Sequence, residues 1–167
     1  MKSIPSDPVK VRTTMRLTMR RTPLLIAACS LLFAADPWTS SDVVRPEQVA
    51  PSLAPTNAAG PLVIYVGSLA EYRAAHIAGS IYAGPTSEPE GLADLRSEMA
   101  GQPTSEEVIL YCGCCPWDKC PNIHPAFAKL HEMGYTKVKV MMITENLKAD
   151  WIDKGFPTEK GAGVASE

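Results

Sequence analysis

Val108-Ile109-Leu110-Tyr111-Cys112-Gly113-Cys114-Cys115-Pro116-Trp117-Asp118-Lys119-Cys120-Pro121-Asn122 is the most informative segment of this sequence. It opens on four consecutive apolar or aromatic residues, long enough for a buried strand and too short for a helix. Gly113, Pro116 and Pro121 then interrupt regular structure, and residues 125–133 carry helical spacing that Gly134 stops. A buried strand that runs through a loop into a helix is the unit of a parallel α/β sheet. In such sheets functional groups gather at the carboxyl ends of the strands, where this chain concentrates four cysteines.

The same alternation extends outward on both sides. Residues 62–66, Leu-Val-Ile-Tyr-Val, read as a buried strand, 69–75 as a short helix and 90–99 as a helix with Leu92, Leu95 and Met99 on one face. Beyond the loop, 138–143 read as a strand and 147–154 as a last helix, with Gly155 as its C-cap and Pro157 just after it. The expected fold class is therefore α/β, with a mainly parallel central sheet flanked by helices. Residues 36–61 hold Pro37, Pro46, Pro51, Pro55 and Pro61 among small polar residues and read as a linker into the fold, with a strand at Val43-Val44 and a helical turn at 47–50. The domain proper is expected over 62–160, with an entry strand from 43 and a flexible tail at 161–167. No internal repeat is seen.

With 167 residues, 46% of them hydrophobic and 20% charged, the chain has room for one ordinary domain and a tail, and the composition argues against disorder, collagen and a polytopic membrane protein. Its charge is uneven. Residues 1–35 hold six basic side chains and one acid, leaving ten basic and seventeen acidic over 36–167, which argues against nucleic acid as a partner. Arg20-Arg21 precede the twelve-residue apolar run 24–35, an arrangement expected of an export signal and too short to span a bilayer comfortably. The expected location is the bacterial periplasm, with no transmembrane span in the mature chain. Ile26-Ala27-Ala28-Cys29 also has the look of a lipobox, which would anchor the protein through Cys29; cleavage near Ala35 is the other reading.

In the loop, Cys112 comes first and faces the start of a helix, where backbone N–H groups and the helix dipole would stabilise a thiolate and lower its pKa. Such a thiolate is a nucleophile near neutral pH. An inert thiol at a strand end is the competing reading, and the Gly113-Cys114-Cys115 that follows argues against it. Cys114, Cys115 and Cys120 invite two further readings, as resolving thiols or, together with Cys112 and His124, as ligands to Cu(I) or Zn. The Cys-x-Cys-Cys-x4-Cys spacing is not that of a zinc ribbon. His124 otherwise faces solvent at the helix start, Lys119 is the loop's one basic residue, and Trp117 either covers the site or packs it.

Two more segments complete a family pattern. Glu71-Tyr72-Arg73-Ala74-Ala75-His76-Ile77-Ala78-Gly79-Ser80-Ile81 resembles the Glu-Tyr-x-x-Gly-His-Ile-x-Gly-Ala-Ile stretch of rhodanese domains, and Trp151, Gly155 and Pro157 resemble their closing Trp-x3-Gly-x-Pro. The resemblance implies a three-layer rhodanese-like domain that needs no cofactor. In it Cys112 would carry a persulfide, residues 113–119 (Gly113, Cys114, Cys115, Pro116, Trp117, Asp118, Lys119) would form the active-site loop, and His76 would be structural. It also implies a small sulfur donor and a thiophilic acceptor as partners. The sequence departs from the family at Tyr65 and Gly67, where Asp and Arg are usual, at Ala75 for Gly, and at Thr144-Glu145 near a usual Gly-Gly pair. The largest departure is the loop, which is longer than the family's, carries three extra cysteines and lacks its Arg.

Overall fold

The computed structural model describes residues 37–53 and 60–161. The export segment, Cys29, and most of the tail from 162 onward lie outside them. The central sheet has five strands, β1 (Val43–Val44), β2 (Leu62–Tyr65), β4 (Ile81–Tyr82), β5 (Glu107–Tyr111) and β6 (Lys137–Met141), in the order β1-β6-β5-β2-β4. Every neighbouring pair is parallel, with Leu62 opposite Val108 and Glu107 opposite Lys137. β3 (His76–Ile77) and β7 (Thr158–Glu159) form a separate antiparallel pair.

Parallel strands are buried on both faces, which is why β2 and, past its exposed Glu107, β5 are apolar runs and not alternating ones. Successive side chains still point to opposite faces. Ile64, Val108 and Leu110 pack on one side beneath α3 (Pro89–Glu98) and α4 (Ile123–Glu132); Val63, Tyr65, Ile109 and Tyr111 pack on the other beneath α1 (Pro46–Val49) and α2 (Leu69–Ala74). The result is the expected three-layer α/β arrangement. Cys112, two residues past Leu110, falls in the α3/α4 layer.

Local sequence explains the helix ends. Pro46 and Pro89 sit in the first turns of α1 and α3, where a missing N–H costs nothing, and the Ser68 hydroxyl accepts the Glu71 N–H at the start of α2. Gly134, at φ 93°, follows α4 in the left-handed region. Gly91 is needed for another reason, since a Cβ there would lie 2.2 Å from the Pro85 carbonyl oxygen.

The helix expected over 147–154 is corrected by the structure to one π-helical turn, Lys148–Ile152. Its Asp153 N–H reaches back five residues to the Lys148 carbonyl at 2.8 Å, and the Asp150 carboxylate turns back to accept the N–H groups of Thr144 and Glu145, each at 2.7 Å. That carboxylate is held below its usual pKa by these hydrogen bonds, against the opposing effect of burial. Among the described residues, no helix is long and apolar enough to cross a membrane.

The segment from Glu71-Tyr72 to His76-Ile77 builds a buried polar knot behind β5. Tyr111 Oη accepts the Ile77 N–H at 3.0 Å and shares a hydrogen with Ser80 Oγ at 2.9 Å, while the Tyr72 hydroxyl donates to the Ser80 carbonyl. His76 is fully buried, with Nδ1 2.7 Å from the Tyr72 carbonyl and its ring stacked on Tyr72 at 3.9 Å. It ties α2 to the β3–β7 pair and lies apart from the cysteines.

Candidate active site

Strand β5 ends at Tyr111 and delivers Cys112 to the carboxyl edge of the sheet, with β2 and β6 on either side. The loop that follows is pinned at three points. The Gly113 carbonyl accepts the Leu147 N–H at 3.0 Å, the Trp117 N–H donates to the Ile143 carbonyl at 2.8 Å, and the Cys120 N–H closes a 3-10 turn, Trp117–Lys119, on the Trp117 carbonyl. Gly113 is required by the first of these contacts, because a Cβ there would lie 2.8 Å from the Leu147 Cβ.

The 3-10 turn folds Cys120 back toward Cys112. All four loop sulfurs lie within 4.8 Å of one another, with Cys112 Sγ 3.2 Å from Cys114 Sγ and Cys114 Sγ 3.4 Å from Cys115 Sγ. Cys112 and Cys120 are buried, at 2% and 1% exposure, Cys115 is half-buried and Cys114 is exposed. The cluster thus has a closed back and an open front. His124 is not in this set. Its ring packs on Trp38 at 4.4 Å, and Trp38 also meets Trp117 at 5.7 Å and Phe127 at 5.6 Å. The entry segment therefore contributes a buried indole to the wall of the loop, which sequence periodicity had no means of revealing. Trp117 is part of that packed wall, and Asp118 and Lys119 are exposed.

Two more groups reach Cys112. Asn122 Nδ2 donates to its sulfur at 3.9 Å, while Asn122 Oδ1 is held by the Ser87 N–H at 2.9 Å. Gly67 lies on the β2 side, where a Cβ would stand 3.1 Å from Cys112 Sγ and 2.5 Å from Tyr65 Oη. The Tyr65 hydroxyl in turn donates to Glu71 Oε2 at 3.2 Å, which Ser68 Oγ also reaches at 3.0 Å. Tyr65, Glu71 and Gly113 line a mainly apolar cleft of about 160 Å³ beside the loop. Asn122, Gly67 and Glu71 were not singled out from sequence as site residues; Asn122 closes the same loop, whereas Gly67 and Glu71 come to it from a chain segment about forty residues earlier.

The electrostatics correct one sequence-based expectation. The Cys112 thiol is pushed up from its ordinary pKa, not down, first by its contact with the Cys120 thiol and then by burial, which outweigh the Cys114 N–H that favours the thiolate. Burial also raises Cys114, and it pushes Cys115 up to about 11 with help from the Cys114 thiol. The thiol contacts act in both directions, since the Cys120 thiol raises Cys112 and lowers Cys115 while the Cys114 thiol lowers Cys112, and burial tips the balance upward. Because the thiolate is the reactive form and its fraction rises tenfold per pH unit below the pKa, alkylation of Cys115 in reduced, chelator-treated protein should keep accelerating up to near pH 11. Peptide-resolved iodoacetamide labelling between pH 7 and 11 measures this; a plateau by pH 8 would contradict it.

The fold and its loop are those of a three-layer α/β domain that presents a cysteine at the carboxyl edge of a parallel sheet. The chain belongs to the rhodanese-like domain family, whose model matches residues 54–142. Similar solved structures include the BH2092 protein from Bacillus halodurans (17% identity, TM-score 0.56, covering 76% of this chain and 82% of that one) and the rhodanese-like domain of the Anabaena Alr3790 protein (17%, 0.51, covering 75% and 83%). A thiosulfate sulfurtransferase from Pseudomonas aeruginosa is similar at 20% identity and TM-score 0.54, over 76% of this chain and 20% of that longer one. At these identities the likeness is one of fold. No curated protein sequence matches the chain.

Proposed function

We propose that this domain is a sulfurtransferase that moves a sulfane sulfur through a persulfide on Cys112. The observation that carries the reading is the position of Cys112 at the carboxyl end of the central strand β5, at the start of a pinned loop. In the first half-reaction the Cys112 thiolate attacks the outer sulfur of a donor persulfide, R–S–S⁻, forming Cys112–S–S⁻ and releasing R–S⁻. In the second, a thiophilic acceptor such as cyanide or a thiolate attacks the outer sulfur and returns the Cys112 thiolate. No cofactor takes part in either step.

The donor class follows from charge. The loop lacks an Arg, Lys119 is exposed, and the Glu71 carboxylate lines the neighbouring cleft, so a small dianion such as thiosulfate meets repulsion and little compensation. A persulfidic or polysulfidic thiol suits this site better. Cys114 and Cys115, on the open side of the cluster, are the first thiols able to accept the outer sulfur or to attack the inner one, closing a disulfide with Cys112 and releasing sulfide. Cys120, buried behind them, is the third. We place this activity in the bacterial periplasm, with the protein either released after cleavage near Ala35 or tethered by lipid at Cys29.

The test is the intact mass of the reduced protein before and after a low-molecular-weight thiol persulfide, followed by peptide mapping. A gain of one sulfur atom on the peptide carrying Cys112 is expected. Unmodified Cys112 under conditions that load a known rhodanese would refute the proposal.

A further inference from the structure

The four loop thiols do more than sulfur transfer requires. A persulfide cycle needs one cysteine, or two with a resolving thiol, and two disulfides need only two close sulfur pairs. Here all six Sγ···Sγ separations fall within 4.8 Å, with Cys112–Cys114 at 3.2 Å and Cys114–Cys115 at 3.4 Å. Four thiolates around one tetrahedral ion, at the zinc–sulfur distance of about 2.3 Å, stand about 3.8 Å from one another. The observed separations bracket that value.

We propose that Cys112, Cys114, Cys115 and Cys120 form an exchangeable site for one soft d10 cation, Cu(I) or Zn(II), and that the ion and the sulfur compete for Cys112. Thiolate ligands in a compact set select these ions over hard ones. The donor set is complete without His124, whose ring is engaged with Trp38. The loop is already held in the gathered geometry by its hydrogen bonds to Leu147 and Ile143, so binding requires no refolding of the chain, only release of the thiol protons to solvent. Burial grades across the site, from enclosed Cys112 and Cys120 through half-buried Cys115 to exposed Cys114, so the ion enters and leaves from one side. Glu71 beside the loop favours a cation there over an anion. The competition clause rests on the sulfurtransferase reading; the site itself does not.

The experiment uses the full chain carrying Cys29→Ser, which removes the fifth thiol, reduced and handled without oxygen. Zn(II) and chelator-buffered Cu(I) are added in separate arms, and four readouts are taken: metal per chain by native mass spectrometry, affinity by competition with a chromogenic chelator, peptide-resolved alkylation, and sulfur loading. One ion per chain is expected in at least one arm, with all four thiols protected and sulfur loading suppressed at least tenfold. The double substitution Cys114→Ser, Cys115→Ser changes only the exposed and half-buried ligands, so the fold is kept, as circular dichroism will verify. It should weaken metal binding at least a hundredfold. No stoichiometric ion in either arm, or affinity unchanged in the double variant, would overturn the site. Metal-free protein that loads sulfur while binding no ion would sink this inference alone. Protein that binds an ion yet never loads sulfur would sink the sulfurtransferase reading and leave the site standing, and undiminished sulfur loading by the metal-bound form would remove the competition.

Discussion

Cys112→Ser should abolish sulfur loading and turnover, lowering the rate by at least roughly three orders of magnitude, the scale seen when a covalent nucleophile is removed. The effect is expected to be this large because no other thiol shares its place. Cys112 is the residue that the central strand delivers to the sheet edge, and its sulfur is reached by the Asn122 amide from one side and lies against Gly67 on the other. Cys114 is 3.2 Å away but sits on the exposed front of the loop, without those contacts. Serine is one atom different in a buried site, so the fold should survive. The measurement is sulfur transfer to cyanide or to a thiol acceptor, read beside the mass of the loaded protein. Retained turnover would move the nucleophile to another cysteine and end the proposed role of Cys112.

Trp151→Ala should destabilise the domain by about 3–5 kcal/mol, the range for large-to-small aromatic changes in cores. Trp151 is fully buried in the layer beneath α1 and α2, its Nε1 donates to the Pro157 carbonyl at 2.8 Å, and its ring meets Phe156 edge-on at 5.0 Å. The substitution thus empties a large volume and removes one of the two donors to the Pro157 carbonyl, leaving the Ala78 N–H at 3.1 Å. It also loosens the π-helical turn Lys148–Ile152, which begins just after Leu147, the residue whose N–H holds the Gly113 carbonyl. Urea unfolding of the variant beside the parent measures the first effect, and faster alkylation of the loop thiols in native buffer reports the second. A loss under 1 kcal/mol would mean that the neighbouring side chains collapse into the space.

The layered architecture was legible because the cores of β2 and β5 are apolar runs bounded by turn residues, while β6 alternates lysine with valine before Met141. The runs read from sequence at 62–66, 108–111 and 138–143 are the strands Leu62–Tyr65, Glu107–Tyr111 and Lys137–Met141, with ends shifted by a residue or two. Burial on both faces leaves its mark in composition, so it needs no tertiary knowledge to read. The pairs His76–Ile77, Ile81–Tyr82 and Thr158–Glu159 had no such mark. Two residues cannot show a period, and these become strands only because a partner edge arrives beside them. The last helix was misread for a related reason: its spacing is helical, but Asp150 binds the Thr144 and Glu145 amides, and a wider turn results.

The site divides in the same way. Sequence alone determined that a cysteine stands at the carboxyl end of a buried strand, ahead of a helix, since that follows from the order of apolar run, glycine and prolines along the chain. It also determined which four thiols share one loop. Only the tertiary structure decided how those thiols face one another, because the 3-10 turn at Trp117–Lys119 and the contacts to Ile143 and Leu147 fold Cys120 back behind Cys112. The sign of the Cys112 pKa shift was decided there too. A loop N–H lowers it as sequence reasoning expects, but burial and a second thiol act through space and prevail, and distances through space are what a linear sequence does not contain.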